Sequence, residues 1–238
     1  MYSEDATLNQ RLKGAQRKKW WMTFAVAVIA LVSMSVSCFA GVANVTPARL
    51  VATMLSNSEI AEPLSHTEIT VLTHLRLPRI LMALLAGMGL AVSGLAMQAI
   101  TGNSMASPFT TGISNAAAMG AAIVIVYGMN FLGSIQLTTV FGAFILALLC
   151  ALLVYGISSV KGFGSTTIVL VGIALNYFFS ALNAGMQYIA NEEQLSAIVN
   201  WTFGSLSQST WTQILFVAIV QLVAFPYLFS RALSLIHI

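Results

Sequence analysis

The sequence predicts an all-α protein, a polytopic bundle of about six membrane-spanning helices. Three observations predict it. Of the 238 residues, 58% are hydrophobic and only 7% are charged, where a soluble domain carries roughly 25% charged residues. So few charges cannot cover the surface of a soluble fold this size, whereas lipid needs none. The apolar segments run on for about twenty residues, the length that crosses a hydrocarbon core of about 30 Å. They also lack the alternating segments of about ten residues that mark an outer-membrane barrel.

The first span is expected at 20–42, with Trp20 and Trp21 as interfacial anchors. A polar stretch, 43–75, follows with Pro47, Pro63 and most of the acids. The second span is expected at 78–100 and a short break at 101–111. The third is expected at 112–128, the fourth at 131–157, and the fifth, after a tight loop at 158–165, at 166–190. The segment 191–209 is polar with some apolar character and suits a short surface helix. The sixth span is expected at 210–229, with Pro226 bending its end.

Charge sets the orientation. Five of the ten basic residues are Arg11, Lys13, Arg17, Lys18 and Lys19, directly before an apolar run. That placement reads as a cytoplasmic N-terminus over 1–19, ahead of a membrane domain over 20–238, and not as a nucleic-acid surface. The basic stretch is long for a cleaved signal peptide and more spans follow, so the first helix is expected to be retained. Counting spans from there puts seven of the ten basic residues inside, including Lys161 and Arg231. The exceptions are Arg49, Arg76 and Arg79. The acids Glu59, Glu62, Glu68, Glu192 and Glu193 fall outside.

Three constellations could carry function. In Leu75-Arg76-Leu77-Pro78-Arg79, Pro78 suits the first turn of a helix and pushes Leu77 toward an extended conformation. Arg79 would then oppose the helix dipole. Two arginines placed at a cost point to an anionic partner. A docking protein, headgroup phosphates and the nearby Glu68 all remain open. The break Thr101–Pro108 holds turn formers and a proline, as an ordinary connection or a pore constriction would. On the fifth span Asn176, Ser180, Asn183 and Gln187, spaced four, three and four, share one face that Gly172 extends. That face meets protein or water, as interhelical hydrogen bonding or as the wall of a path. Stripes of small residues (Ala83, Gly87 and Ala91; Gly89 and Ser93) would let helices approach closely.

Other chemistry has little support. His66 and His74 flank Glu68 in a loop, too weak a pattern for a metal site, and His237 lies near the chain end. Cys38 and Cys150 fall inside predicted spans and form no disulfide framework or zinc spacing. No catalytic set or phosphate-binding loop is present, so neither an enzyme nor a cofactor is expected. The predicted spans hold no acidic residue, which argues against a proton-coupled carrier.

The run Arg76-Leu-Pro-Arg79, then 86–94 (Ala-Gly-Met-Gly-Leu-Ala-Val-Ser-Gly), Gln98, Asn103-Ser-Met-Ala-Ser-Pro108 and Gly112-Ile-Ser114 resembles the signature of the FecCD permeases. Looser similarity continues through Val171–Leu175 and Trp201–Ser205. These are the membrane subunits of ATP-driven importers for iron-siderophores, haem and cobalamin. The resemblance implies a subunit that pairs with a second permease chain, an ATP-binding cassette subunit and an extracytoplasmic substrate-binding protein, in the cytoplasmic membrane of a prokaryote. It implies that Arg76 and Arg79 face outward to dock the binding protein. It implies a cytoplasmic gate at Asn103 and Met105, and another at 164–166 including Ser165 and Thr166. The family's first loop proline and leucine are here Ser104 and Met105. It implies that the fifth helix lines the path with Gly172, Asn176, Ser180, Asn183 and Gln187. Family permeases have ten helices and a coupling segment after the sixth, so a chain ending at Arg231–Ile238 is expected to be truncated to the first six.

Overall fold

The structure is a computed structural model that describes residues 2–41, 45–55, 60–160, 162 and 164–236, with 2–13, 15 and 232–236 described by backbone alone. Glu59, Lys161 and His237, and the side chains of Arg11 and Lys13, lie outside the described residues. The described elements are helical throughout. They are α1 (Tyr2–Phe39), α2 (Pro47–Leu55), α3 (His66–Thr70), a π-helical turn (Val71–Arg76), α4 (Leu77–Thr101), α5 (Ile113–Tyr127), α6 (Ile135–Val160), α7 (Ser165–Ile189), α8 (Glu192–Phe203) and α9 (Trp211–Ile236). Among the described residues five helical stretches are long and apolar enough to cross a membrane: Gln16–Phe39, His66–Thr101, Ile135–Val160, Ser165–Ile189 and Trp211–Arg231. The expected third span is the shorter apolar helix α5, 15 residues long, about 22 Å at 1.5 Å per residue. Along α6 the residues Leu137, Val140, Phe144, Leu148 and Leu152 are all exposed, an apolar face that suits lipid and not water.

Several boundaries differ from expectation. Helix α1 extends back through the basic segment, whose Leu, Ala, Gln, Arg and Lys are good helix formers. The polar stretch before Pro78 holds α2, α3 and the π turn. Pro78 does not open a helix: Leu77 is α-helical (φ −58°, ψ −47°) and donates its N–H to the Leu72 carbonyl, five residues back. The wide turn absorbs the proline, which has no N–H to give and whose ring crowds a carbonyl in a regular helix. Arg79 therefore lies inside a continuing helix and does not oppose a helix N-terminus. Helix α9 likewise continues past Pro226 to Ile236.

The chain divides into two compact units. The first holds residues up to Ala83 and 208–214. Its core is Val45, Leu64 and Leu72, packed by Cys38, Phe39, Leu50 and Leu77. Arg49 ties α2 to α3 with a two-pronged pair to Glu68, at 2.7 Å and 2.9 Å, and donates to the Glu62 carbonyl at 3.1 Å. The Glu68 carboxylate raises the Arg49 guanidinium above its ordinary pKa, chiefly by this hydrogen bond. Glu68 also accepts from Ser65 N–H at 2.8 Å while Ser65 caps α3, the reciprocal capping box.

The second unit holds residues 84–207 and 215–238, and α5 is its most buried helix. Ala116, Ala118, Gly120, Ala121, Ala122 and Val124 of α5 are all buried. A Cβ on Gly120 would overlap the Gly142 carbonyl oxygen of α6, and one on Gly142 would meet Val124 Cγ2 at 2.7 Å. Glycine here lets two backbones touch. Ala116, Cys150 and Phe179 join α5, α6 and α7, while Ala122, Met186 and Ile198 join α5, α7 and α8. The expected surface helix is α8, capped by Asn191 and held by Gln194 Nε2 donating to the Val126 carbonyl at 3.0 Å. The small-residue stripes on α4 behave differently from one another. Ala83, Gly87 and Ala91 are exposed, with open space beside Gly87. A Cβ on Gly89, by contrast, would meet Gln221 Nε2 of α9 at 2.8 Å.

Gly120→Ala is expected to lower stability by about 1–3 kcal/mol, because the added methyl meets backbone that cannot rotate away. Gly87→Ala, in open space, is expected to be neutral or stabilising by up to about 1 kcal/mol. Reversible unfolding of both variants in detergent checks the contrast.

Candidate functional site

The arginine pair sits in the first unit, at the π turn and the start of α4. The Arg76 guanidinium reaches back to the C-terminus of α1 and donates to the Cys38 carbonyl at 2.9 Å and the Phe39 carbonyl at 3.4 Å. A cation there satisfies orphan carbonyls and the negative end of the dipole. Gly41 permits the approach: with φ +142°, a Cβ on it would lie 2.5 Å from Arg76 Nη2. Arg79 is exposed, and among the described residues no hydrogen bond or ion pair holds its side chain. Both arginines line an open cleft of about 710 Å³ with Gly41, Ser65, Glu68 and Leu75. Glu68 is occupied by Arg49, so it is not the arginine pair's ion-pair partner.

The break after α4 is built by local hydrogen bonds. Asn103 Oδ1 accepts from the Met105 N–H at 2.9 Å, and Gln98 Nε2 donates to the Ser104 carbonyl at 3.0 Å. These bonds hold the loop where the family's first proline is missing, and leave Met105 85% exposed. Ser165 and Thr166 are exposed at the start of α7, after the extended Gly164. Among the described residues no hydrogen bond joins them to the Asn103 loop.

The polar stripe on α7 divides. Gly172 and Asn183 are buried, and a Cβ on Gly172 would meet Thr111 Cα at 2.9 Å. Asn176 accepts at Oδ1 from Asn115 Nδ2 of α5 at 2.9 Å, and Asn183 Nδ2 donates to the Asn115 carbonyl at 2.9 Å. Among the described residues, Asn183 Oδ1 is buried without a hydrogen-bond partner. Ser180 is exposed and Gln187 half-buried. At about 100° per residue Gly172, which meets Thr111 just before α5, and Asn176 and Asn183, which meet α5, occupy a narrow arc, with Gln187 and Ser180 on its flank. Gly112 (φ +80°) completes the contact, since a Cβ there would meet Asn176 N at 2.7 Å.

Sequence reasoning missed Asn115, the hub of this amide cluster. Its signal was available: it is the one amide in the apolar run of α5. The roles of Arg49 and Gly41 had no local signal. Among the described residues no group of three or more histidine, cysteine or acidic side chains could hold a metal.

The profile of the FecCD transport family matches residues 18–238. The chain belongs to the FecCD transport family. A Methanocaldococcus jannaschii protein assigned as an ABC transporter permease is 37% identical over 166 residues, which cover 66% of this chain and 47% of that protein. The iron-uptake system permease protein FeuC of Bacillus subtilis is 32% identical over 87% of this chain and 61% of its own length. Other relatives are named for molybdate import in Haemophilus influenzae and hemin transport in Yersinia pestis. A solved ABC transporter assigned to the metal-chelate type, in an inward-facing conformation, superposes with a TM-score of 0.73 at 26% identity, covering 90% of this chain and 63% of that one. The chain thus spans less than half the length of the first relatives it matches. Along the chain the arginine pair flanks the first residue of α4, Leu77, and the Asn103 loop follows its last, Thr101.

Gly41→Ala is expected to push the Arg76 guanidinium off the α1 carbonyls. A double-mutant cycle of Gly41→Ala with Arg76→Ala should then show a coupling of about 1 kcal/mol in unfolding free energy. Additive effects would refute the contact.

Proposed function

We propose that this chain forms membrane-spanning helices of a permease in a binding-protein-dependent ABC importer, translocating an iron-siderophore-type chelate by alternating access. The observation that carries this reading is the cleft with two arginines at the end of the second span, in a chain of the FecCD family. The N-terminus is cytoplasmic, so that the cleft opens outward. The chain works with a second permease chain, an ATP-hydrolysing subunit and a substrate-binding protein, in the cytoplasmic membrane of a prokaryote. Arg79, exposed, meets acidic groups of the binding protein. Arg76 contributes field from a position braced on α1. The Asn103–Met105 loop and Ser165–Thr166 act as the cytoplasmic gate.

On α7 the translocation path is lined by the flank of the stripe, Ser180 and Gln187. Asn176 and Asn183 hold α7 against α5, and Gly172 holds it against Thr111, so that this flank is presented. The absence of acids from the predicted spans supports a polar, uncharged path, which tolerates large chelates and leaves selection to the binding protein. Haem is the second reading, supported by the relative named for hemin transport.

Charge reversal, Arg76→Glu with Arg79→Glu, is expected to weaken binding of the importer's substrate-binding protein by about tenfold or more at low salt, and by less at high salt. Unchanged binding in a surface-plasmon assay would remove the docking role. Cysteines at 180 and 187 are expected to react with a water-soluble maleimide, while a cysteine at 183 stays protected. Protection at all three positions would reduce the stripe to helix packing.

A further inference from the structure

The Thr73 carbonyl lacks the two donors that an α or a π pattern would give it. In the π turn the Leu77 N–H bonds to Leu72, and the next residue, Pro78, has no N–H. The site is exposed, so water competes for this carbonyl and a protein donor acts there by ordering the turn. The indole of Trp211, the first residue of α9, fills the gap: its Nε1–H donates to the Thr73 carbonyl at 3.1 Å. Both residues belong to the first compact unit. The bond closes on the middle of the π turn, three residues before Arg76 and six before Arg79. A π turn carries one residue more per turn than an α turn and rotates everything after it. Whatever holds it sets the direction in which Arg79 leaves the helix.

We propose that Trp211 is a positioning residue for the arginine pair: its indole N–H, bonded to the Thr73 carbonyl that Pro78 orphans, locks the π turn and so holds Arg76 and Arg79 at the cleft. This rests on the docking role proposed above for its functional half. Its structural half stands on the bond alone. The same geometry supplies its own rescue. An alanine at position 78 restores an N–H five residues after Thr73, where a π pattern would use it.

The test is Trp211→Phe, which keeps a ring and removes the donor, compared with Trp211→Phe combined with Pro78→Ala. Hydrogen–deuterium exchange over residues 70–81 is measured on the 238-residue chain in lipid nanodiscs, and affinity for the importer's substrate-binding protein is measured alongside. Trp211→Phe is expected to speed exchange by about tenfold and to weaken docking by several-fold, and the double variant is expected to recover both. Because alanine in place of an in-helix proline steadies a helix by itself, Pro78→Ala alone is the control, and the recovery must exceed what it brings to the unsubstituted chain. Exchange that does not rise in Trp211→Phe, or that is not restored by Pro78→Ala, overturns the proposal. If exchange behaves as expected while charge reversal of Arg76 and Arg79 leaves docking unchanged, the docking role falls and the assignment of Trp211 to the turn stands.

Discussion

In hydrocarbon every backbone carbonyl needs a donor from the protein, and this constraint organises the structure. Straight helices meet it internally. At several helix ends and contacts a long polar side chain supplies the bond. Arg76 serves Cys38 and Phe39 at the end of α1, and Trp211 serves Thr73 in the π turn. Gln194 serves Val126 near the end of α5, Asn183 serves Asn115, and Gln221 serves Leu85. Most of the polar residues inside apolar segments are therefore spent on backbone.

That allocation separates structural from functional candidates. Of the two arginines in the signature, one is anchored and one is presented. Of the five residues in the α7 stripe, two meet α5, one meets Thr111 just before it and two lie on the flank. A polar stripe in a membrane helix thus need not have one purpose. The buried side packs against its neighbours, and the flank keeps Ser180 exposed and Gln187 half-buried. Asn183 combines both problems, with its nitrogen satisfied and its oxygen buried without a partner, in a cluster that the glycines at 112 and 172 allow to close.

The sequence revealed the helices because hydropathy is a local property. The runs from Trp20, Phe131, Thr166 and Thr210 became α1, α6, α7 and α9 with ends displaced by a few residues, and more at the basic start of α1 and the C-terminal end of α9. The FecCD signature was legible as a contiguous set of motifs around Pro78 and Asn103. The beginning of the second span was misjudged because proline normally starts or stops a helix. A π turn can pass it through, and nothing in Val71–Arg76 announces one. Asn115 was overlooked because a single amide in an alanine-rich helix shows no periodicity. The α4 glycines were expected to pack, yet Gly87 faces open space while Gly120 and Gly142, in segments without an obvious stripe, touch.

Composition and order of residues alone determined a helical membrane protein of this family, the approximate position of its spans and the arginines and amides worth attention. Those follow from transfer free energies and motif identity, which each residue carries with it. Only the tertiary structure decided which polar group meets which: Arg49 with Glu68, Arg76 with α1, Asn115 between Asn176 and Asn183, Trp211 with Thr73. Such pairings join residues 19 to 138 positions apart. They depend on the directions in which neighbouring helices present their faces, and a chain read along its length does not contain those directions.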